Sequence, residues 1–165
     1  MRISLRILKV KDVTKDYVMW FSDNDVIRFS NNQYKKFTLS GQKRYVHKCL
    51  KDKNLILYGI FHEKKHIGNL CLEGLKSINR VGEITYVIGR KEYWGKGIGN
   101  LVINKIIKIT KKKYNLNKLI AGTASKNIGS IKILKKNKFV LEGVRKKHLF
   151  FKNRFHDQLD FGLLL

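Results

Sequence analysis

At 165 residues the chain suits a single domain spanning 1–165. With 43% hydrophobic and 11% aromatic residues it carries enough for a packed core, which excludes a disordered chain despite 29% charge. No apolar run approaches the roughly 20 residues that span a bilayer, so no membrane helix is expected. The net charge of +24 invites a nucleic-acid reading, yet 28 Lys, 13 Asn and 18 Ile are the residues that AT-rich codons favour, and only 8 of the 36 basic residues are Arg. Coding bias therefore accounts for much of the charge, although an anionic ligand would be welcome on such a surface.

Met1 to Arg6 shows neither the apolar core nor the cleavage site of a secretory signal, and Cys49 and Cys71 sit in apolar surroundings without CxxC spacing. A reduced, cytoplasmic protein without a metal site is expected. Along the chain, Ile3 to Ile7 alternates like an edge strand, and Lys11 to Phe21 reads as a helix with Asp12, Thr14 or Asp16 near its start. A second helix is predicted from about Leu39 to Leu50, capped by Thr38 or Ser40. Strands follow at Asn54 to Phe61, His66 to Leu72 and Val81 to Gly89, the last apolar enough toward its end to be central. A long helix from about Gly97 to Tyr114 presents Ile98, Leu101, Val102, Ile106 and Ile109 on one face. A short strand (Lys118 to Thr123), a short helix (Asn127 to Lys136) and two strands (Phe139 to Leu149, Phe155 to Leu165) complete the order β-α-α-β-β-β-α-β-α-β-β.

The stretch that carries chemistry is Tyr93-Trp94-Gly95-Lys96-Gly97-Ile98-Gly99-Asn100. It follows a buried strand and opens a long helix. Glycines without side chains let backbone N–H groups approach a ligand, and the helix start adds unsatisfied donors and the positive end of a dipole. Such a junction suits a phosphate or pyrophosphate, the bland alternative being a turn with glycines for tight packing. No Gly-Lys-Ser/Thr string makes it a P-loop, and Asn100 stands where a Rossmann turn needs its third glycine.

Trp94 to Gly99 resembles the R/Q-x-x-G-x-G/A signature with which GNAT N-acetyltransferases bind the pyrophosphate of acetyl-CoA, Trp94 replacing the usual Gln or Arg. Three later segments are similar to the branch that includes ribosomal-protein N-terminal acetyltransferases and small-amine acetyltransferases. They are Ala124 to Ile131, Phe139 to Arg145 (with Lys138 where Gly is usual), and His156-Asp157 followed by Gly162-Leu163-Leu164. Val10 to Thr38 looks like that branch's N-terminal helices. The resemblance implies an α/β GNAT fold with a mixed sheet of about six or seven strands and flanking helices.

It also implies roles. Val87, Ile88 and Gly89 would offer backbone groups to pantetheine. The amides of Gly95, Lys96, Gly97, Ile98, Gly99 and Asn100 would hold the pyrophosphate. Asn127 would bond pantetheine, or serve only as a helix cap. Acetyl transfer to an amine needs a proton removed from nitrogen and one delivered to sulfur. Glu83, expected to be buried with a raised pKa, is the candidate base, the alternative being a solvent-facing or lysine-paired glutamate. The family's tyrosine acid would fall at Leu134 and is absent, which leaves Ser130 as the implied partner of the thiolate. The Val87 or Ile88 amide would polarise the thioester carbonyl.

Acceptor candidates are Trp20, Tyr17 and Phe29 from the N-terminal helices, with His156 and Asp157 from the last strands; Trp20 and Tyr17 could equally be core. The expected function is direct acetyl transfer from acetyl-CoA to a primary amine, since no placed Cys or Ser–His pair suggests an acyl-enzyme. A small or nucleotide-linked amino sugar comes first, an anionic acceptor suiting +24, with a protein N-terminus as the alternative. Polyamines are disfavoured by the scarcity of carboxylates. A non-catalytic acyl-CoA-binding domain and a basic nucleic-acid-binding module are the rivals, but the lysines are scattered through every element and nucleic acid is not the expected partner. A monomer or homodimer is expected.

Overall fold

The computed structural model describes residues 2–165. Seven strands form one sheet in the order β1 (Ile3–Ile7), β2 (Leu55–His62), β3 (Lys65–Glu73), β4 (Val81–Ile88), β5 (Lys118–Ala124), β7 (Arg154–Leu164) and β6 (Val140–Phe151). Every neighbouring pair is antiparallel except β4 and β5. The edge position of Ile3–Ile7 and the central position of Val81–Ile88 follow the sequence pattern.

Side chains alternate across the sheet with period two, so β2 feeds two cores. Tyr58 and Ile60 pack with Ile98, Val102 and Ile106 of α4 (Ile98–Lys113) and Leu134 of α5 (Ile128–Lys136). Leu57 and Phe61 pack instead with Tyr17 and Trp20 of α1 (Lys15–Trp20) and with Val46 and Cys49 of α3 (Leu39–Lys51). Both cysteines are free thiols. On α4 the buried stripe runs through Ile98, Val102, Ile103, Ile106 and Thr110, while Leu101 is 39% exposed. Among the described residues, no helix is long and apolar enough to cross a membrane.

The single helix expected over Lys11 to Phe21 is broken. Val10–Asp12 makes a 3-10 turn, and Thr14, in extended backbone, caps α1 by accepting from the Tyr17 N–H at 3.3 Å. A further short helix, α2 (Asn24–Ile27), starts at the Asp23 cap, whose side chain accepts from the Asp25 N–H at 2.9 Å. Thr38 is the cap of α3, accepting from the Gly41 N–H at 3.1 Å.

The feature that shapes the site lies between β4 and β5. They pair only where Val81–Glu83 faces Lys118–Ile120. Beyond this β4 continues along β3 to Ile88 and β5 continues along β7 to Ala124, so the sheet opens like a V between Ile84 and Ala121.

Candidate active site

The V ends at the glycine loop. Gly95 and Gly97 have φ of +71° and +74°, a region costly for residues with a Cβ, and nothing lies within 4 Å of where a Cβ would be. Gly97 caps α4 with no side-chain partner, which leaves the helix-start N–H groups without a side-chain acceptor. This is a cradle that backbone amides can offer to an anion. It opens on a groove of about 580 Å³ that also takes Arg28, Lys132 and Lys136 in its wall. Along that groove the free edge of β4 is exposed. Gly89 donates its N–H to the Ile67 carbonyl at 2.9 Å, and antiparallel alternation then turns the Ile88 backbone away from β3. The Ile88 carbonyl accepts from Trp94 Nε1 at 2.8 Å.

A second cavity, of about 420 Å³, lies on the other side of the V between β4, β5 and the N-terminal helices. The two share Val26, Phe29, Tyr86, Val87, Asn127 and Ser130. At this junction Asn127 caps α5 by accepting from the Ser130 N–H at 3.2 Å, which holds Ser130 Oγ 3.2 Å from the Tyr86 hydroxyl. Burial pushes the Tyr86 pKa up, the Ser130 hydrogen bond opposing it. The arrangement puts a hydroxyl pair where a ligand in the groove meets one in the cavity.

Residues 2–140 match the acetyltransferase (GNAT) domain family. The chain belongs to this family. It is an acetyl-CoA-dependent N-acetyltransferase with the GNAT fold. The N-acetyltransferase p20 of Bacillus licheniformis, itself uncharacterized, is 29% identical over 99% of this chain and 93% of its own. Among solved structures, the spermidine N-acetyltransferase of Vibrio cholerae, in complex with CoA and spermine, superposes with a TM-score of 0.87 at 20% identity over 98% of this chain and 95% of the other. The ribosomal-protein-S5-alanine acetyltransferase of Vibrio fischeri gives a TM-score of 0.86 at 23% identity over 99% and 93%.

The GNAT chain's candidate residues separate into those that meet at the V and those that do not. Ile88, Gly95, Gly97, Ile98, Asn100, Asn127 and Ser130 line the groove, with Lys96 in the loop between them. Asn100 Oδ1 accepts from Asn137 Nδ2 at 2.9 Å, which ties the start of α4 to the end of α5. Gly99 also lines the groove, and a Cβ there would sit 2.5 Å from Ile133 Cδ1, so that methyl would have to turn aside. Val87 lines both cavities, but by the same alternation its backbone faces Asn69 on β3 rather than the open edge. Gly89 has its N–H committed to Ile67, and a Cβ there would fall inside the Trp20 ring. It is a packing glycine with no amide to give.

Five expectations are corrected. Glu83 is exposed, not buried. It sits beside Glu73 at the closed end of the V and lines neither cavity, because the strand's apolar run lies further along. Trp20 is 6% exposed, wedged against Gly89, His66 and Tyr17 in the core rather than facing an acceptor. His156 stacks on Phe151 with ring centroids 3.8 Å apart and lines neither cavity. Asp157 accepts from the Lys147 N–H at 2.9 Å and pairs with Lys146 at 3.1 Å. These contacts hold its carboxyl below the usual range and fasten the irregular part of β6. Finally, the acceptor-side cavity is lined by no cation, so nothing in it favours an anionic acceptor. Of the N-terminal candidates, Phe29 lines both cavities and Tyr17 lines the acceptor side, its hydroxyl donating to Gln42 Oε1 at 3.0 Å.

Sequence reasoning missed Tyr86, Arg28, Lys132 and Lys136. Tyr86 was detectable: alternation sets it two positions before Ile88 on the strand that feeds the loop. Arg28 had no signal, because it follows a four-residue helix that the pattern did not reveal.

Proposed function

We propose that the chain moves an acetyl group directly from acetyl-CoA to the primary amine of a small acceptor, an amino sugar first, at the junction of the two cavities. The observation that carries this is the single wall, Tyr86–Ser130–Asn127, standing between an anion-cradling groove and an acceptor-sized cavity. In this reading the amides from Gly95 to Asn100 hold the pyrophosphate, with Arg28, Lys132 and Lys136 adding charge. Pantetheine lies along the free edge of β4 at Ile88, with Asn127 at its other side. The Ile88 N–H polarises the thioester carbonyl. Ser130 Oγ, backed by the Tyr86 hydroxyl, delivers a proton to the departing sulfur. Likeness to the Vibrio fischeri ribosomal-protein enzyme supports a second reading, acetylation of a protein α-amine.

Isothermal titration with acetyl-CoA, CoA and ATP tests the cofactor half. Micromolar binding of acetyl-CoA and CoA but not ATP is expected, weakened at least about tenfold in Gly97→Val, whose side chain cannot adopt φ +74° without strain. Equal binding of ATP would show a generic anion loop and sink the reading. Ser130→Ala is expected to lower kcat with little change in acetyl-CoA affinity.

A further inference from the structure

We propose that the acceptor amine enters its cavity as the free base, and that the cavity thereby selects amines of low basicity. This rests on the transfer reading above and concerns what the acceptor side can accommodate. Among the described residues its wall holds no Asp, Glu, His, Lys or Arg. The titratable groups that face it are Tyr17 from α1, Tyr45 from α3, Cys71 from β3 and Tyr86 from β4, while β2, β5 and the start of α5 contribute none and Asp25 of α2 lines only the groove, paired with Lys91 at 3.1 Å. Burial raises the pKa of all four, Cys71 to about 12, so each stays neutral near pH 7. Glu83, the strand carboxylate on β4, lies outside with Glu73 beside it.

Two consequences follow from elementary chemistry. An ammonium brought into this cavity would give up part of its water and find no counter-charge, which is costly. It would also find no base to take its proton. A neutral amine needs neither. When its nitrogen attacks the thioester carbon, a C–N bond forms, the C–S bond breaks, and one proton passes from nitrogen to sulfur. The reaction of a free amine with a thioester gives an amide and a thiol with no proton left over, so the Ser130–Tyr86 hydroxyls suffice to carry it. Starting from an ammonium, one further proton must leave, and the cavity has no acceptor for it.

Basicity then decides who is acetylated. At pH 7.5 an α-amine of pKa about 7.8 is roughly one-third free base, whereas a lysine-type amine of pKa about 10.4 is roughly 0.1% free base, a difference of about 250-fold. A polyamine carries the added burden of a second ammonium in a cavity without carboxylates.

The test is kcat/KM, read by CoA release and product mass, for glucosamine, an alanyl peptide, Nα-acetyl-lysine amide and spermidine from about pH 6.5 to 9.5. Glucosamine or the alanyl peptide should exceed the lysine amide and spermidine by about 100-fold at pH 7.5. The glucosamine and alanyl-peptide profiles should rise with unit slope and break at the acceptor's own pKa, whereas those of the lysine amide and spermidine, whose amines titrate above about 9.5, should rise with unit slope across the whole range. A break that stays at one pH for every acceptor, one that disappears in Glu83→Gln, or a preference for spermidine would overturn the inference while leaving acetyl transfer intact. Failure of every amine to be acetylated by protein that binds acetyl-CoA would overturn the transfer reading, and the inference with it.

Discussion

A valine at Gly99 would press its Cβ to 2.5 Å from Ile133 Cδ1, where α4 and α5 meet, so Gly99→Val is expected to cost about 1–3 kcal/mol of stability through overpacking. Gly97→Val meets open space but must hold a β-branched residue at φ +74°, so it too should lose about 1–2 kcal/mol of stability, and it should also weaken acetyl-CoA binding. Titration beside urea unfolding separates the two, and folded Gly97→Val that binds acetyl-CoA as tightly as the unsubstituted chain would refute the distinction. His66 offers a second prediction at this scale. Its Nε2 faces two carbonyl oxygens, Gly68 at 2.9 Å and Asn69 Oδ1 at 2.9 Å, so Nε2 carries the proton and the buried Nδ1 has no partner among the described residues. The rings of Tyr17, Trp20 and Phe61 surround it. Burial pushes the imidazole below its ordinary 6.5, against the pull of the Asn69 and Gly68 bonds. Between 6.5 and the lower folded value the unfolded chain binds more protons, so stability is full above 6.5 and falls with pH until the folded pKa is passed. Each unit of lowering is worth about 1.4 kcal/mol. A His66→Phe variant should flatten the urea midpoint across that window, and an unchanged slope would show that another group is responsible.

At the scale of elements, α5 ends in a Schellman turn. The Lys138 N–H donates to the Lys135 carbonyl at 3.0 Å and the Phe139 N–H to the Leu134 carbonyl at 3.1 Å. The turn demands a left-handed residue, and Lys138 supplies it at φ +66°. Lys138→Gly should therefore stabilise the chain by about 0.5–1 kcal/mol, or roughly 1–4 °C in Tm by calorimetry; an unchanged or lower Tm would mean that the freedom gained by the unfolded chain outweighs the strain removed. The same residue shows what could be read beforehand. The sequence marked Lys138 as out of pattern without saying that its backbone is left-handed. Long periodic elements were legible because period two and period 3.6 are written in many residues at once, as in β2 to β4 and α4. The glycine loop was legible because three glycines between a strand and a helix leave few other conformations. The break at Thr14 and the four-residue α2 were not, since a capping hydroxyl competes with helix continuation within a single turn. Glu83 and Trp20 were misplaced for a related reason: a strand's residue types tell which are apolar, not where the strand separates from its neighbour or which glycine a ring will cover.

Across the whole molecule the charge is spread rather than focused. Among the described residues, eight of the twelve carboxylates lie within ion-pair distance of a Lys or Arg, yet they engage only seven of the 36 basic residues. The other 29 lie outside ion-pair distance of any carboxylate among the described residues, and their mutual repulsion opposes the compact state. The ion pairs are mostly exposed, and such pairs contribute little each. Salt screens both kinds of interaction with a Debye length of about 10 Å at 0.1 M, but the repulsion is summed over many distant pairs and loses more. Raising ionic strength from about 0.02 to 0.3 M should then raise Tm by a few degrees, each kcal/mol recovered being worth about 2–4 °C for a chain of this size. A Tm that falls with salt would mean the pairs at Asp12, Asp16 and Glu142 dominate. The same titration addresses the nucleic-acid rival, because a protein that uses its lysines on phosphates loses affinity steeply with salt. Tight duplex binding at low salt with a slope of many released ions would give the surplus charge a partner. Binding that is already weak at about 0.15 M would leave the charge as composition, and the groove cations Arg28, Lys132 and Lys136 as the part of it that meets a ligand.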